Sequence, residues 1–300
     1  MKTSPPPDRV WLAISISLVA LVLFDCMGLI IKHLSVRFGA AELSAYRNIF
    51  GLVPGVIALW SSSAWHAQGR KLKIRQWKLA SMRGLVVMVA QLLFYLSLGR
   101  MAFASASTIT YSSALFTTAL AVPILAERVG WVRWSAVLLG FAGVVMVMGP
   151  GRETFSTDAF APLGAAFLYA LAGVTARRMD VEVPSALVSL YSAGFAMIGS
   201  VALAFAAGGF APIQSATDMA WIVAMGGFGG CAVLCLVVSY RMTEQSNLAP
   251  FSYFGIPLAF VLGWLFFGEA PFSDLIPGAF FIAAGGLLVV WRERVTRIRR

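Results

Sequence analysis

Charge is scarce in this chain: Asp, Glu, Lys and Arg make up 12% of its 300 residues, where a soluble domain has about 25%. With 59% of the residues hydrophobic, no water-soluble core of this length could absorb the apolar surface. Two histidines and three cysteines leave little to ligate a metal and suggest no disulfide framework. Cys26, Cys231 and Cys235 all lie in apolar runs, where free cysteine behaves as a small packing residue. No GxxxxGK[ST] motif occurs, so transport driven directly by ATP is not indicated. An intramembrane enzyme usually needs paired carboxylates, a metal cluster or a nucleophile with its base. The chain has no HExxH, no acidic pair within an apolar run and no clustered histidine. Alternating strands of a membrane barrel are missing as well; the apolar runs are continuous, which argues for helices.

What is present is a series of apolar runs long enough to cross a hydrocarbon core about 30 Å thick. Ten can be counted, at about 11–31, 40–60, 80–98, 104–124, 131–149, 160–177, 186–207, 219–239, 247–267 and 275–291. The first is too long for a signal-peptide core and has no clear small-residue cleavage site, so it reads as a retained helix. The net charge of +10 is explained by topology. With both termini in the cytoplasm, 17 of the 23 Lys and Arg residues fall on that side. Only Lys32, Arg37, Arg100 and Arg152 face the other, and Arg47 and Arg83 lie within spans. Such a bias orients a membrane protein N-in and C-in and makes a nucleic-acid partner unnecessary. The C-terminal RERVTRIRR suits anionic lipid beside the membrane. The loop 60–78, basic and Trp-flanked, suits an interfacial segment.

The chain also repeats. Arg100 to Glu127 (RMAFASASTITYSSALFTTALAVPILAE) returns in altered form as Arg241 to Glu269 (RMTEQSNLAPFSYFGIPLAFVLGWLFFGE). Tyr111 and Tyr253 lie 142 positions apart, as do Glu127 and Glu269, and the Arg-Met pairs lie 141 apart. Two units of five helices result, 1–150 and 151–300, divided near GPGRETFSTD. Five is odd, so the second unit must enter the membrane from the opposite side. Inverted repeats of this kind are typical of secondary transporters, whose sites lie near the midplane between the units.

Ionisable groups inside a bilayer are functional candidates by default. Asp25 could titrate or pair with a cation; Arg47 could hold a carboxylate or pair with Asp25. The competing readings are a structural ion pair, or snorkelling of Arg47 to an interface. The fourth span is rich in hydroxyls, many of which can bond back to their own helix; Thr108, Tyr111 and Ser112 share a face that could line a pathway. The third span offers Gln91 and Tyr95, the sixth Tyr169, the seventh Tyr191, and the ninth Asn247, Ser252 and Tyr253. Tyrosine joins an apolar body to a polar tip and suits a pocket for amphipathic solutes; anchoring or helix–helix bonding would explain it too. Pro250 and Pro257 remove helical hydrogen bonds. Gly226 and Gly230 form a GxxxG, which by default packs helices closely. These four residues are also candidate hinges.

The ten-helix pattern, with the fourth and ninth spans running into VPILAERVGW and LFFGEAPF, resembles the EamA-type members of the drug/metabolite transporter superfamily. The second unit has Leu265 where the first has Pro123. The resemblance implies an all-α fold of ten transmembrane helices in two inverted five-helix repeats around a central cavity. It also implies export of small metabolites, often amino acids, across a bacterial inner membrane, with the aromatic amino acid exporters of the group as the nearest guess. Glu127 and Glu269 carry over as motif positions, structural at a helix–turn junction. One acid and one base inside the membrane, among uncharged polar groups, suit an amino acid exported by alternating access. A proton-coupled exporter of cationic drugs relying on Asp25 is the alternative, with an intramembrane enzyme or a channel behind it. No cofactor and no metal is called for. The expected partners are a small-molecule substrate and the lipid bilayer, and the chain is a monomer or homodimer.

Overall fold

The computed structural model describes residues 7–67, 69, 72, 75–126, 130–148, 157–176, 178–179, 185–242, 248, 251–269 and 272–298. Apart from turns and a 3-10 turn at Thr157–Ala159, these residues are α-helical. The helices are α1 (Pro7–Leu34), α2 (Ala40–Trp60), α3 (Ser63–Ala67), α4 (Trp77–Leu98), α5 (Phe103–Tyr111), α6 (Ser113–Leu125) and α7 (Trp131–Met148). They continue with α8 (Phe160–Ala176), α9 (Ser185–Ala206), α10 (Ala216–Met242), α11 (Gly255–Phe267) and α12 (Phe272–Ile298). Seven helical stretches are long and apolar enough to cross a membrane. Three shorter apolar helices, Trp134–Val147, Gly255–Phe267 and Ile276–Leu288, stand where the fifth, ninth and tenth spans are expected. The protein is a multi-pass membrane protein. Its helices are sorted by side-chain size rather than polarity. Val53, Ile57, Leu138, Phe205, Phe266 and Phe280 face outward, whereas Ala13, Ala45, Ala90, Ala166 and Ala232 are buried. Small residues let helix backbones approach where lipid supplies no hydrophobic drive.

One end of the bundle, here the near end, carries Trp60, Trp77 and Leu125. The far end carries Leu34, Leu98 and Phe267. Inverted symmetry shows in three places at the 142-residue spacing. The fourth span breaks at Ser112, and the ninth at Phe254. At the first break Ser112 N–H bonds Ile109 O and Phe116 N–H bonds Ser112 O; at the second Phe254 N–H bonds Phe251 O and Leu258 N–H bonds Phe254 O. The two spans then end on Ala126 and Gly268, both left-handed at φ 53° and 65°. Finally, α7 and α12 pack backbone to backbone. A Cβ on Gly143 would meet Gly278 O and Ile282 N, and one on Gly285 would meet Ala136 O and Gly140 N. Adding 142 to the second set's partners returns the first set's. The heaviest packing, α7 on α12, α1 on α10, α10 on α2, α4 on α8, α2 on α9 and α4 on α9, always joins a helix of the first five spans to one of the last five.

No proline stands beside the first break. At the second, Pro257 in the first turn of α11 has no N–H to give Tyr253 O, which accepts from Ile256 N–H instead. The segment 60–78 is also less superficial than its composition suggests. Trp65 of α3 is buried with Leu59, Ala80 and Leu187, although Trp60 and Trp77 remain exposed.

Candidate functional site

A cavity of about 340 Å³ lies between α2, α9 and α10. Its lining runs from Ser61, Ser62 and Ser63 at the near end to Arg47 and Asn48, which we call its floor. Between them Gly51, Gly55, Ala58, Ser189, Ala193 and Gly230 keep the walls thin. The thirteen helical steps from Arg47 to the end of α2 at Trp60 give the cavity a length of about 20 Å along α2.

The floor is held by a polar cluster across three helices. Arg47 Nη1 donates to Asn48 Oδ1 at 3.0 Å. Asn48 Nδ2 donates to Gln91 Oε1 of α4 at 3.0 Å and to Ser200 Oγ of α9 at 3.2 Å. Arg47 does not pair with Asp25: Asp25 is buried, and its Oδ2 has no hydrogen-bond partner. Tyr95, Ser107 and Thr108 likewise bury unpartnered hydroxyls. Tyr169, on α8, is half-buried. Buried polar atoms in a membrane are costly unless something satisfies them. Asp25 on α1, Arg47 on α2, Tyr95 on α4 and Ser107 and Thr108 on α5 are therefore the candidate solute contacts, and of these only Arg47 lines the cavity.

Other sequence candidates lie elsewhere. Ser112 bonds back to Ile109 O at 2.6 Å, as Thr110, Thr117 and Thr118 bond back to their own helices, so its hydroxyl is already used. Tyr191 Oη donates to Leu72 O at 3.0 Å and ties down the near-end loop. Tyr111 packs its hydroxyl onto Gly255, and Tyr253 packs onto Gly286 with that hydroxyl unpartnered; Ser252 is exposed beside it. Gly226 and Gly230 lie within α10, which is unbroken from Ala216 to Met242. Gly226 abuts Phe50, and Gly230 abuts Pro54 and Gly51 O. Glu127, Asn247 and Pro250 lie outside the described residues.

The far end is closed in two layers. A large apolar cluster fills it, including Met27, Ile31, Leu34, Leu43, Leu98, Phe103, Met225 and Ala259. Over this cluster, three ion pairs join the first five spans to the last five. Lys32 Nζ meets Glu269 Oε1 at 2.7 Å, Arg37 meets Asp218 at 2.7 Å and Arg100 meets Asp158 at 3.1 Å. Lys32 also donates to Met101 O at 2.6 Å, and Phe103 N–H donates to Glu269 Oε2 at 2.7 Å. Glu269 thus caps the first turn of α5, a favourable place for a carboxylate. Glu42 adds a further tie, accepting from Gly39 N–H at 2.9 Å and from Ala211 N–H. Sequence reasoning missed Asn48 and the partners of these far-end cations. It also passed over Arg83, which braces three helices by donating to Ala172 O at 2.8 Å and Ser192 Oγ at 3.2 Å. A pairing signal existed in the acids at loop edges, Asp158, Asp218 and Glu269, but it needs the topology to be read.

Residues 11–149 and again 157–291 match the EamA-like transporter family. A protein of Rickettsia bellii named S-adenosylmethionine uptake transporter is 23% identical over 280 residues, 92% of each chain. A riboflavin transporter of Rhizobium johnstonii is 30% identical over 171 residues, 56% of this chain and 55% of that one. A crystal structure 20% identical superposes with a TM-score of 0.66, covering 95% of this chain and 98% of the other; at that identity it speaks for the fold.

Proposed function

The chain belongs to the EamA-like transporter family, and from that premise we propose that it is a secondary transporter of small zwitterionic, amphipathic metabolites working by alternating access. Amino acids, aromatic or otherwise neutral, are the first class to test. The observation that carries the reading is a one-ended cavity: it runs from the near end to a cationic floor, while the far end is filled and ion-paired. In alternating access a single site is exposed to each side in turn, so the far-end pairs are the contacts that must break in the opposite state. The units exchanging positions are 1–150 and 151–300. The charge bias puts the near end in the cytoplasm of a bacterial inner membrane, with both termini inside.

The relatives' names support small-metabolite transport without selecting this class: one is named for a methionine derivative and one for a flavin, which is not a zwitterion. They also leave the direction of net flux open, since the first is named for uptake. Uptake of a labelled amino-acid panel into proteoliposomes, with and without a pH gradient, tests the proposal. Saturable accumulation of at least one member supports it; a panel as silent as empty liposomes removes it. Asp25 sustains a second reading, because its carboxylate oxygen is buried without a partner. A lipophilic cation competing for flux in the same assay would favour a proton-coupled drug exporter.

A further inference from the structure

We infer that Asn48 is a positioning residue that keeps Arg47 oriented and without a neutralising acid, so that the cavity floor takes a carboxylate of the cargo; this rests on the transport reading above. Three features of the floor lead to it. Among the described residues, the ion pairs join Lys32 to Glu269, Arg37 to Asp218 and Arg100 to Asp158. Arg47 lies far deeper than these cations, yet its hydrogen-bond partner is a neutral amide. A neutral amide can orient a guanidinium without cancelling its charge, and that charge acts strongly in a low-dielectric wall.

The amide's orientation is itself fixed. Nδ2 has acceptors on α4 and α9, Gln91 Oε1 and Ser200 Oγ, so Oδ1 is left facing Arg47. Reversing the amide would set its N–H groups against the guanidinium donors and its oxygen against the Gln91 oxygen. Asn48 is 2% exposed, so water does not compete for these bonds.

The third feature is room. A Cβ on Gly229 would lie 2.9 Å from Arg47 Nε, 3.4 Å from Nη2 and 2.7 Å from Met27 Sδ. The glycine thus gives the guanidinium a flat bed on α10, and this explains a residue of the GGFGG run that helix packing alone leaves unexplained. Nε has no hydrogen-bond partner. The planar fork suits the two oxygens of a carboxylate. One cation is a poor match for a doubly charged phosphate, so a carboxylate is the class assigned.

The test reads Arg47 directly. Protein in nanodiscs is treated with phenylglyoxal, an arginine-selective reagent, and labelling of the Arg47 peptide is followed by mass spectrometry with and without benzoate. The wild type should label and benzoate should protect it. Asn48→Asp, of nearly identical shape, should label about tenfold more slowly, with benzoate having no further effect. Asn48→Ala should still label but lose most of the benzoate protection, which covers the case in which the Asp variant does not fold. An inert Arg47 in the wild type, or an Asn48→Asp protein that labels and is protected like the wild type, overturns the inference. Stronger protection by inorganic phosphate than by benzoate overturns the carboxylate assignment. Benzoate protection together with a silent amino-acid flux panel upholds this site and removes the substrate reading.

Discussion

Replacing Glu269 by Gln should loosen the far end by an amount the structure bounds. Glu269 makes two contacts there: an ion pair to Lys32 at 2.7 Å and a cap on Phe103 N–H at 2.7 Å. The substituted amide can keep the cap through its carbonyl oxygen, which turns its NH2 toward Lys32 Nζ, so the ion pair and its hydrogen bond are lost together. The two side chains retain 14% and 23% exposure. That places the pair between exposed pairs, worth about 0–1 kcal/mol, and buried ones whose rupture costs about 3–5 kcal/mol. A working figure of about 1–2 kcal/mol corresponds to a five- to thirtyfold shift in population. The reporter is a cysteine at Ala106, fully buried in the far-end cluster, in a chain whose Cys26, Cys231 and Cys235 have been replaced. An impermeant maleimide applied from the far side should label it about five- to thirtyfold faster in the Glu269→Gln protein. Asp158→Asn is the control. Its partner Arg100 is 64% exposed, so the gain should stay below about fivefold. If the Glu269 variant labels no faster than the Asp158 variant, the far-end pairs are not what holds that end shut.

Further expectations concern the fold and the coupling. Gly255→Ala drives a methyl into the Tyr111 ring end and should cost about 1–3 kcal/mol, read as a lower melting temperature in detergent. Ala126→Gly relieves a left-handed alanine and should stabilise by about 0.5–1 kcal/mol, while Gly268→Ala should destabilise by at least as much; equal melting temperatures for all three chains would contradict the cap geometry. Asp25→Asn should leave downhill flux intact but abolish any dependence on a pH gradient. An unchanged pH dependence removes Asp25 as the coupling site.

The spans were legible because a bilayer demands an unbroken apolar run for each crossing, and this chain offers no competing pattern. The inverted repeat was legible too, since the 142-residue spacing that relates the tyrosines also relates the helix breaks and the left-handed caps. What could not be read was partnership. Arg47 was visible as a charge in an apolar run, but its neighbour Asn48 is a common residue whose value comes from Gln91 and Ser200, 43 and 152 positions away. Hydroxyl-bearing residues are hard to sort for a related reason: Ser112 and Thr108 look alike in sequence, yet one gives its hydroxyl hydrogen to its own helix and the other does not. Tyr191 stands next to the wall residue Leu190 and bonds a loop carbonyl instead.

Counterflow tests the carrier account most directly. Proteoliposomes loaded with an unlabelled amino acid that the flux panel identifies are diluted into a trace of the same labelled compound. A carrier that exposes one site alternately should give a transient overshoot of label above equilibrium, diminished by Arg47→Gln. Label that rises only to equilibrium, at a rate indifferent to the internal load, would describe a pore and contradict the alternating cavity.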